Sequence, residues 1–260
     1  MKKIFLLTLI CSLFFVGGTY AQTTQSSAVK LRIGTYNIGH FNCGKLGGYK
    51  GTDVKPQLKK WKKWIKQQKL AIFSVNEWNY YFDKDSTIKA TDKLLKPIYK
   101  HVNFGPHNTW IYNGIATNFK VENVRSVTWA LKDYYAVIAD VKIGDKKVTV
   151  MSTHIPWQKQ YHDAAVDQLI KEMKKYDYLI CMGDMNSGDS VQLRFAKEGF
   201  NIANGGSQGF LRTIASKRTN DISIDNIITT KNISISNVSA PVTGLSDNDH
   251  NPIEADIEIH

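Results

Sequence analysis

The chain has 260 residues, of which 42% are hydrophobic, 22% charged and 11% aromatic. That much apolar material excludes a disordered, collagen-like or low-complexity chain and suits a domain with a sizeable core. Three cysteines are too few for a disulfide framework, and a formal charge of +11 points to an anionic partner or surface without saying which.

The first segment has the pattern of a secretory signal. Lys2 and Lys3 precede the apolar run Ile4–Val16, and the small residues of Gly17–Ala21 set up cleavage after Ala21. The run is shorter than the roughly 20 residues a spanning helix needs. An uncleaved anchor is the competing reading; cleavage leaves no transmembrane anchor and a protein that is secreted or periplasmic. Losing residues 1–21 removes two lysines and no acid, so the formal charge falls from +11 to +9. Residues 22–29 read as a polar lead-in, and 30–260 as one domain, expected to act as a monomer.

Along that domain, Leu31–Ile38 reads as the first strand. A helix is expected from Pro56, a residue favoured in the first turn, with Leu58, Trp61 and Ile65 on one face. Strands follow at Leu70–Val75, Tyr134–Ile143 and Val148–His154, the last two joined by the turn pair Gly144-Asp145. Asp163–Lys175 carries Val166, Leu169, Ile170 and Met173 at helical spacing. Tyr178–Met182 is a buried strand, in which Cys181 is expected as a packed thiol; a disulfide with Cys43 stays open. A short helix is expected after a capping Ser190, then strands at Ile222–Thr229, Ile233–Val238 and Ile253–Ile259. Many strands with a few helices give an α+β sandwich whose helices cover paired sheets.

Polar residues gather where those strands end. Asn37 closes the first strand, Glu77 closely follows the second, and His154 ends another. Asp184 and Asn186 close the Tyr178 run, Asp225 lies between isoleucines in Ile224-Asp-Asn-Ile227, and Asp249-His250 precedes the final strand. Singly, each is an ordinary turn former or solvated strand end, although a buried Asp225 would need a partner. Together they fit metal-assisted hydrolysis of a phosphate ester. Carboxylate and amide oxygens suit Mg2+, with Mn2+ as an alternative, and a His–Asp pair supplies an oriented base. No His-x-x-x-His or Cys-x-x-Cys pair supports zinc. Gly205-Gly-Ser-Gln-Gly209 matches a nucleophile elbow but lacks its strand and helix, and reads as a flexible loop.

In this order, Thr35-Tyr-Asn-Ile38, Asn76-Glu77, Thr153-His154, Gly183-Asp-Met-Asn186, Ile224-Asp-Asn-Ile227 and Asp249-His250-Asn-Pro252 resemble the blocks of the endonuclease/exonuclease/phosphatase superfamily. The resemblance spans Arg32 to Ile257. It implies a four-layer α/β/β/α sandwich of two mixed sheets flanked by helices, as in deoxyribonuclease I. It also implies roles: Glu77 as principal metal ligand with Asn37 beside it, Asp249 at or near the same metal, and His250 as catalytic histidine oriented by Asp225. Asp184 resembles the residue that positions or deprotonates water, and Asn186 and His154 those that hold the scissile phosphate. Asn76 replaces the usual glutamine. The usual Ser-Asp-His is Ser246-Asp-Asn-Asp-His250 here, which leaves Asp249 and Asp247 in competition.

The superfamily serves many substrates. The basic charge favours a nucleic acid, DNA or RNA, although Lys59, Lys60, Lys62, Lys63, Lys66 and Lys69 fall on the first helix and read as a solvated outer face. Trp78, Tyr80, Tyr81, Phe82 and Trp157 lie close to the motifs, as stacking surfaces or as core. Tyr112 and Asn113 resemble a strand lining the family's cleft. A sphingomyelinase-like lipid phosphodiesterase is the alternative enzyme, a small-molecule phosphatase the next, and a non-catalytic binding module the reading from another class.

Overall fold

The computed structural model describes residues 28–39, 54–84, 88–106, 111–214, 223–243, 245 and 250–260. The expected signal peptide, residues 22–27 of the lead-in, Cys43 and Asp247 to Asp249 lie outside them. Among the described residues, no helix is long and apolar enough to cross a membrane.

Two six-stranded mixed sheets pack face to face. The first has the order β11 (Ile233–Ser239), β12 (Ile253–Ile259), β1 (Val29–Asn37), β2 (Ile72–Asn79), β4 (Ile111–Thr117), β3 (His101–Phe104), and the second β5 (Val121–Thr128), β6 (Tyr135–Ile143), β7 (Lys146–His154), β8 (Leu179–Asp184), β10 (Asp225–Thr229), β9 (Asn201–Ile202). In the first sheet β1 (Val29–Asn37) and β2 (Ile72–Asn79) are parallel, joined by helix α1 (Val54–Gln68). In the second, β7 (Lys146–His154) and β8 (Leu179–Asp184) are parallel, joined by α4 (Lys159–Met173). Parallel neighbours need such a crossover, and its helix must cover a face of the sheet.

Side-chain alternation assigns the layers. On β1 and β2, Tyr36 and Phe73 turn outward to α1, where the Trp64 ring lies 5.1 Å from Tyr36 and 6.1 Å from Phe73. Asn37, Ser74 and Asn76 turn the other way, into the second sheet. On β6 (Tyr135–Ile143), Val137, Ala139 and Val141 join the inter-sheet core, while Ala136 and Ile138 pack with Val166, Leu169 and Met173 of α4. The result is the expected α/β/β/α sandwich. Leu58, Trp61 and Ile65 are buried as the periodicity requires, and the six lysines of that segment are exposed. Gly144 takes the positive φ of the β6–β7 turn. Cys181 is a free, buried thiol whose pKa burial pushes far up.

Several boundaries differ from the sequence reading. β2 does not stop at Val75 but continues through Glu77 to Asn79. Ser190 is not a cap: α5 (Asp189–Lys197) begins after Gly188, Ser190 is inside it and exposed, and Asp189 instead accepts the Ser223 N–H and hydroxyl. Strand β4 (Ile111–Thr117) holds Tyr112 and Asn113, whose resemblance to a strand is thus met, whereas strands β3 (His101–Phe104), β5 (Val121–Thr128) and β9 (Asn201–Ile202) and the short helices α2 (Tyr80–Lys84) and α3 (Ala90–Leu94) were not expected as elements. The remaining strands are β10 (Asp225–Thr229), β11 (Ile233–Ser239) and β12 (Ile253–Ile259). Gly205–Gly209, read from the sequence as a flexible loop and not as a nucleophile elbow, is a hydrogen-bonded turn with Ser207 exposed.

Candidate active site

Strand register alone assembles much of the site. His154 pairs with Asp184 across the parallel β7–β8 ladder, and Asp184 pairs with Asp225 across the antiparallel β8–β10 ladder. Directly opposed residues share a face, so three motifs distant in sequence stand side by side. From the first sheet, Asn37 and Asn76 are opposed in the β1–β2 ladder. Asn37 Nδ2 donates to Asp184 Oδ2 at 2.9 Å, which closes the gap between sheets at the same edge.

Asn76 bolts the sheets together. Its Nδ2 donates to the Thr153 carbonyl at 2.9 Å and to Asn113 Oδ1 at 3.0 Å, and its Oδ1 accepts the Asp184 N–H at 3.1 Å. Ser74 Oγ donates to Ser152 Oγ at 2.7 Å one pair deeper. Buried amides and hydroxyls are costly unless paired, so this set defines one alignment of the sheets. The next residue, Glu77, sits where the β2–β4 register shifts and has φ 53. The bulge reverses the alternation and brings Glu77 to the rim.

Asp184 is the hub. Its Oδ1 accepts the Asn186 N–H at 2.8 Å, and Oδ2 lies 3.4 Å from His154 Nε2 and 3.7 Å from His250 Nε2. Asn186, at φ 42, donates from Nδ2 to the Ile155 carbonyl at 2.8 Å and lies 3.1 Å from His154 Nε2. His250 Nδ1 is 3.0 Å from Asp225 Oδ2. Asp225 is fully buried and has in His250 the partner that burial calls for, and burial pushes its carboxyl up from 3.8 to about 6.

Among the described residues, two groups each bring their possible ligand atoms within 4.8 Å of one another: Glu77, His154 and Asp184, and Asp184, Asp225 and His250. The donors are chiefly hard carboxylate oxygens, and among the described residues only the two histidines ion-pair with Asp184. Carboxylate oxygens gathered in this way fit a divalent cation such as Mg2+. Asn37 adjoins the first group through its bond to Asp184, whereas Asp249 lies outside the described residues. The structure thus brings together Asn37, Glu77, His154, Asp184, Asn186, Asp225 and His250.

Sequence reasoning missed three supports. Tyr134 stands edge-on to His154, ring centres 4.9 Å apart. Trp129 Nε1 donates to Thr153 Oγ1 at 3.0 Å. Asp83 accepts Trp78 Nε1, Thr91 and the Tyr112 hydroxyl, tying α2 and α3 to β4 beside the bulge. None of the three has a motif; each becomes visible only when strands are paired. Of the aromatics near Glu77, Trp78 and Phe82 are core, while Tyr81 is exposed. Asn113 of β4 does line the inter-sheet junction.

No protein-family model and no curated protein matches the sequence. Solved structures do match the fold. An endonuclease/exonuclease/phosphatase from Bacteroides vulgatus aligns with a TM-score of 0.68 at 17% identity, covering 89% of this chain and 100% of its own. An endonuclease/exonuclease/phosphatase family protein from Bacteroides thetaiotaomicron gives 0.68 at 13% identity, over 90% and 97% of the two chains. ANGEL2, a 2',3'-cyclic phosphatase in complex with adenosine-2',3'-vanadate, gives 0.66 at 13% identity, over 89% and 96%. The chain has the endonuclease/exonuclease/phosphatase fold.

Proposed function

We propose that the protein is a secreted, divalent-metal-dependent phosphodiesterase of this superfamily, acting as a monomer with nucleic acid as its leading substrate class. One observation carries the reading: Asp184 is shared by two adjacent groups, one suited to a cation and one built as an oriented histidine pair. The leader-like residues Lys2–Ala21 support export.

Glu77 and Asp184 would hold Mg2+ or Mn2+, with Asn37 and His154 beside them and Asp249 as a further ligand. Bound there, a hard cation supplies polarisation of a phosphoryl oxygen and offsets charge on the leaving oxygen. Asp225 accepts the Nδ1–H of His250 and so leaves Nε2 as the atom that takes or gives a proton. Asp184 Oδ2, 3.7 Å from Nε2, positions the attacking water, whose proton goes to one of these two atoms. Asn186 and His154 present an amide and an imidazole to the phosphate oxygens, where charge grows in the transition state.

The test is hydrolysis of plasmid DNA, RNA, adenosine 2',3'-cyclic phosphate and sphingomyelin, with Mg2+ and with EDTA, beside His250→Ala. Metal-dependent cleavage of DNA or RNA that falls at least a hundredfold in the variant is the expected result. Cleavage of sphingomyelin alone moves the protein to the lipid enzymes, and cleavage of the cyclic phosphate alone to the phosphatases. Turnover of none of the four sinks the hydrolase reading.

A further inference from the structure

Trp157 is 67% exposed, three residues beyond His154. A large indole left in water is costly, and the backbone on both sides of this one is tied down. Ile155 is fully buried, its N–H donates to the Asp184 carbonyl at 3.0 Å, and its carbonyl accepts Asn186 Nδ2 at 2.8 Å. Pro156 is buried. On the other side, the Gln158 carbonyl accepts the N–H groups of Tyr161 and His162 at 2.9 and 3.0 Å, starting α4. The backbone two residues before Trp157 is therefore tied to Asp184 and Asn186, the residues that the proposed chemistry uses.

Among the described residues the Trp157 ring meets no other aromatic ring and its Nε1 has no acceptor. Its backbone lies two residue steps, about 7 Å, from Ile155. Lys159 and Gln160 beside it are exposed, and Tyr161 is 36% exposed. An exposed aromatic ring two residues from an exposed lysine suits a planar base flanked by phosphate. A bilayer would require a broader apolar surface.

We propose that Trp157 is a stacking platform for a nucleobase next to the scissile phosphate, so that the substrate class is a base-bearing single strand or strand end. The inference rests on the nucleic-acid reading above but can fail separately from it. Its test is binding in EDTA, which needs no turnover: fluorescence anisotropy with a labelled oligothymidylate and with the same backbone carrying abasic residues. Stacking on one aromatic is expected to give the wild type about a tenfold preference for the base-bearing strand. Trp157→Ala should abolish that preference and Trp157→Phe retain most of it, with unchanged thermal midpoints because the ring is exposed. Equal wild-type affinity for the two strands, or a preference that survives Trp157→Ala, overturns the platform. So does binding to sphingomyelin–phosphatidylcholine vesicles that needs Trp157 without any strand preference. A strand preference that depends on Trp157, together with no cleavage in Mg2+, keeps the platform and removes the nuclease.

Discussion

Asp225 decides which nitrogen of His250 carries a proton. Its Oδ2 lies 3.0 Å from Nδ1, and an ionised carboxylate can only accept, so Nδ1 donates and Nε2 faces Asp184. Asp225→Asn keeps the size but offers an amide that can donate, which favours the opposite tautomer. The expected loss is about 10²–10⁴-fold in kcat with the fold intact. Stability should move the other way. Burial raises the carboxyl from 3.8 to about 6, opposed by the charge of His250 and reinforced by Asp184. A carboxyl raised in the folded state ionises earlier in the unfolded chain, so stability is lost as pH climbs from 3.8 to about 6. Asp225→Asn removes that loss. In EDTA its thermal midpoint relative to wild type should rise across this window and level off above it. A flat difference, or a kcat within tenfold of wild type, would count against the assignment.

At the scale of elements, the site depends on β7 and β8 approaching closely enough for His154 and Asp184 to meet. Gly183 permits this. It has φ +148, and a Cβ there would lie 1.9 Å from the Thr153 carbonyl oxygen. That oxygen accepts Asn76 Nδ2, so a methyl group would push apart both the ladder and the inter-sheet bolt. Gly183→Ala is expected to cost about 3 kcal/mol or more in urea denaturation and to remove activity. Gly199→Ala, at φ +95 with nothing within 4 Å of its Cβ, should cost only about 1 kcal/mol of backbone strain. Equal costs would show that crowding is not the cause. The same elements explain what the sequence disclosed. Strands with both faces buried, such as Tyr135–Ile143, are apolar runs and were legible, as was α1 from its buried Trp61 and Ile65. β5 was not: it is half-exposed, and Glu122, Asn123 and Arg125 break its pattern. β2 looked shorter than it is because Asn76 and Glu77 are polar. Their polarity serves the junction and the bulge, which depend on partners far along the chain. The site motifs were legible as strand-end residues, but their convergence on Asp184 required the registers of two ladders.

For the whole molecule, the placement of charge matters more than its total of +11. α1 contains no acidic residue, and Lys59, Lys60, Lys62, Lys63 and Lys66 point to solvent. Its buried face meets Tyr36 and Phe73 on the outer side of the first sheet, whereas Asn37, Asn76 and Asp184 occupy the inner side. Allowing about 10 Å per packed layer, these ammonium groups stand about 20 Å from the site. The screening length is about 8 Å at 0.15 M salt and about 30 Å at 0.01 M. A strand held at the rim near Trp157 should therefore feel the lysines only at low ionic strength. Neutralising three of them, as Lys59→Gln with Lys63→Gln and Lys66→Gln, is expected to leave kcat unchanged and KM for an oligonucleotide within about twofold at 0.15 M salt. At 0.01 M the same protein should show KM raised severalfold, since long-range attraction then reaches the site. A tenfold rise in KM at 0.15 M would mean that the substrate touches α1 directly, and that the binding surface wraps around the first sheet instead of ending at the rim.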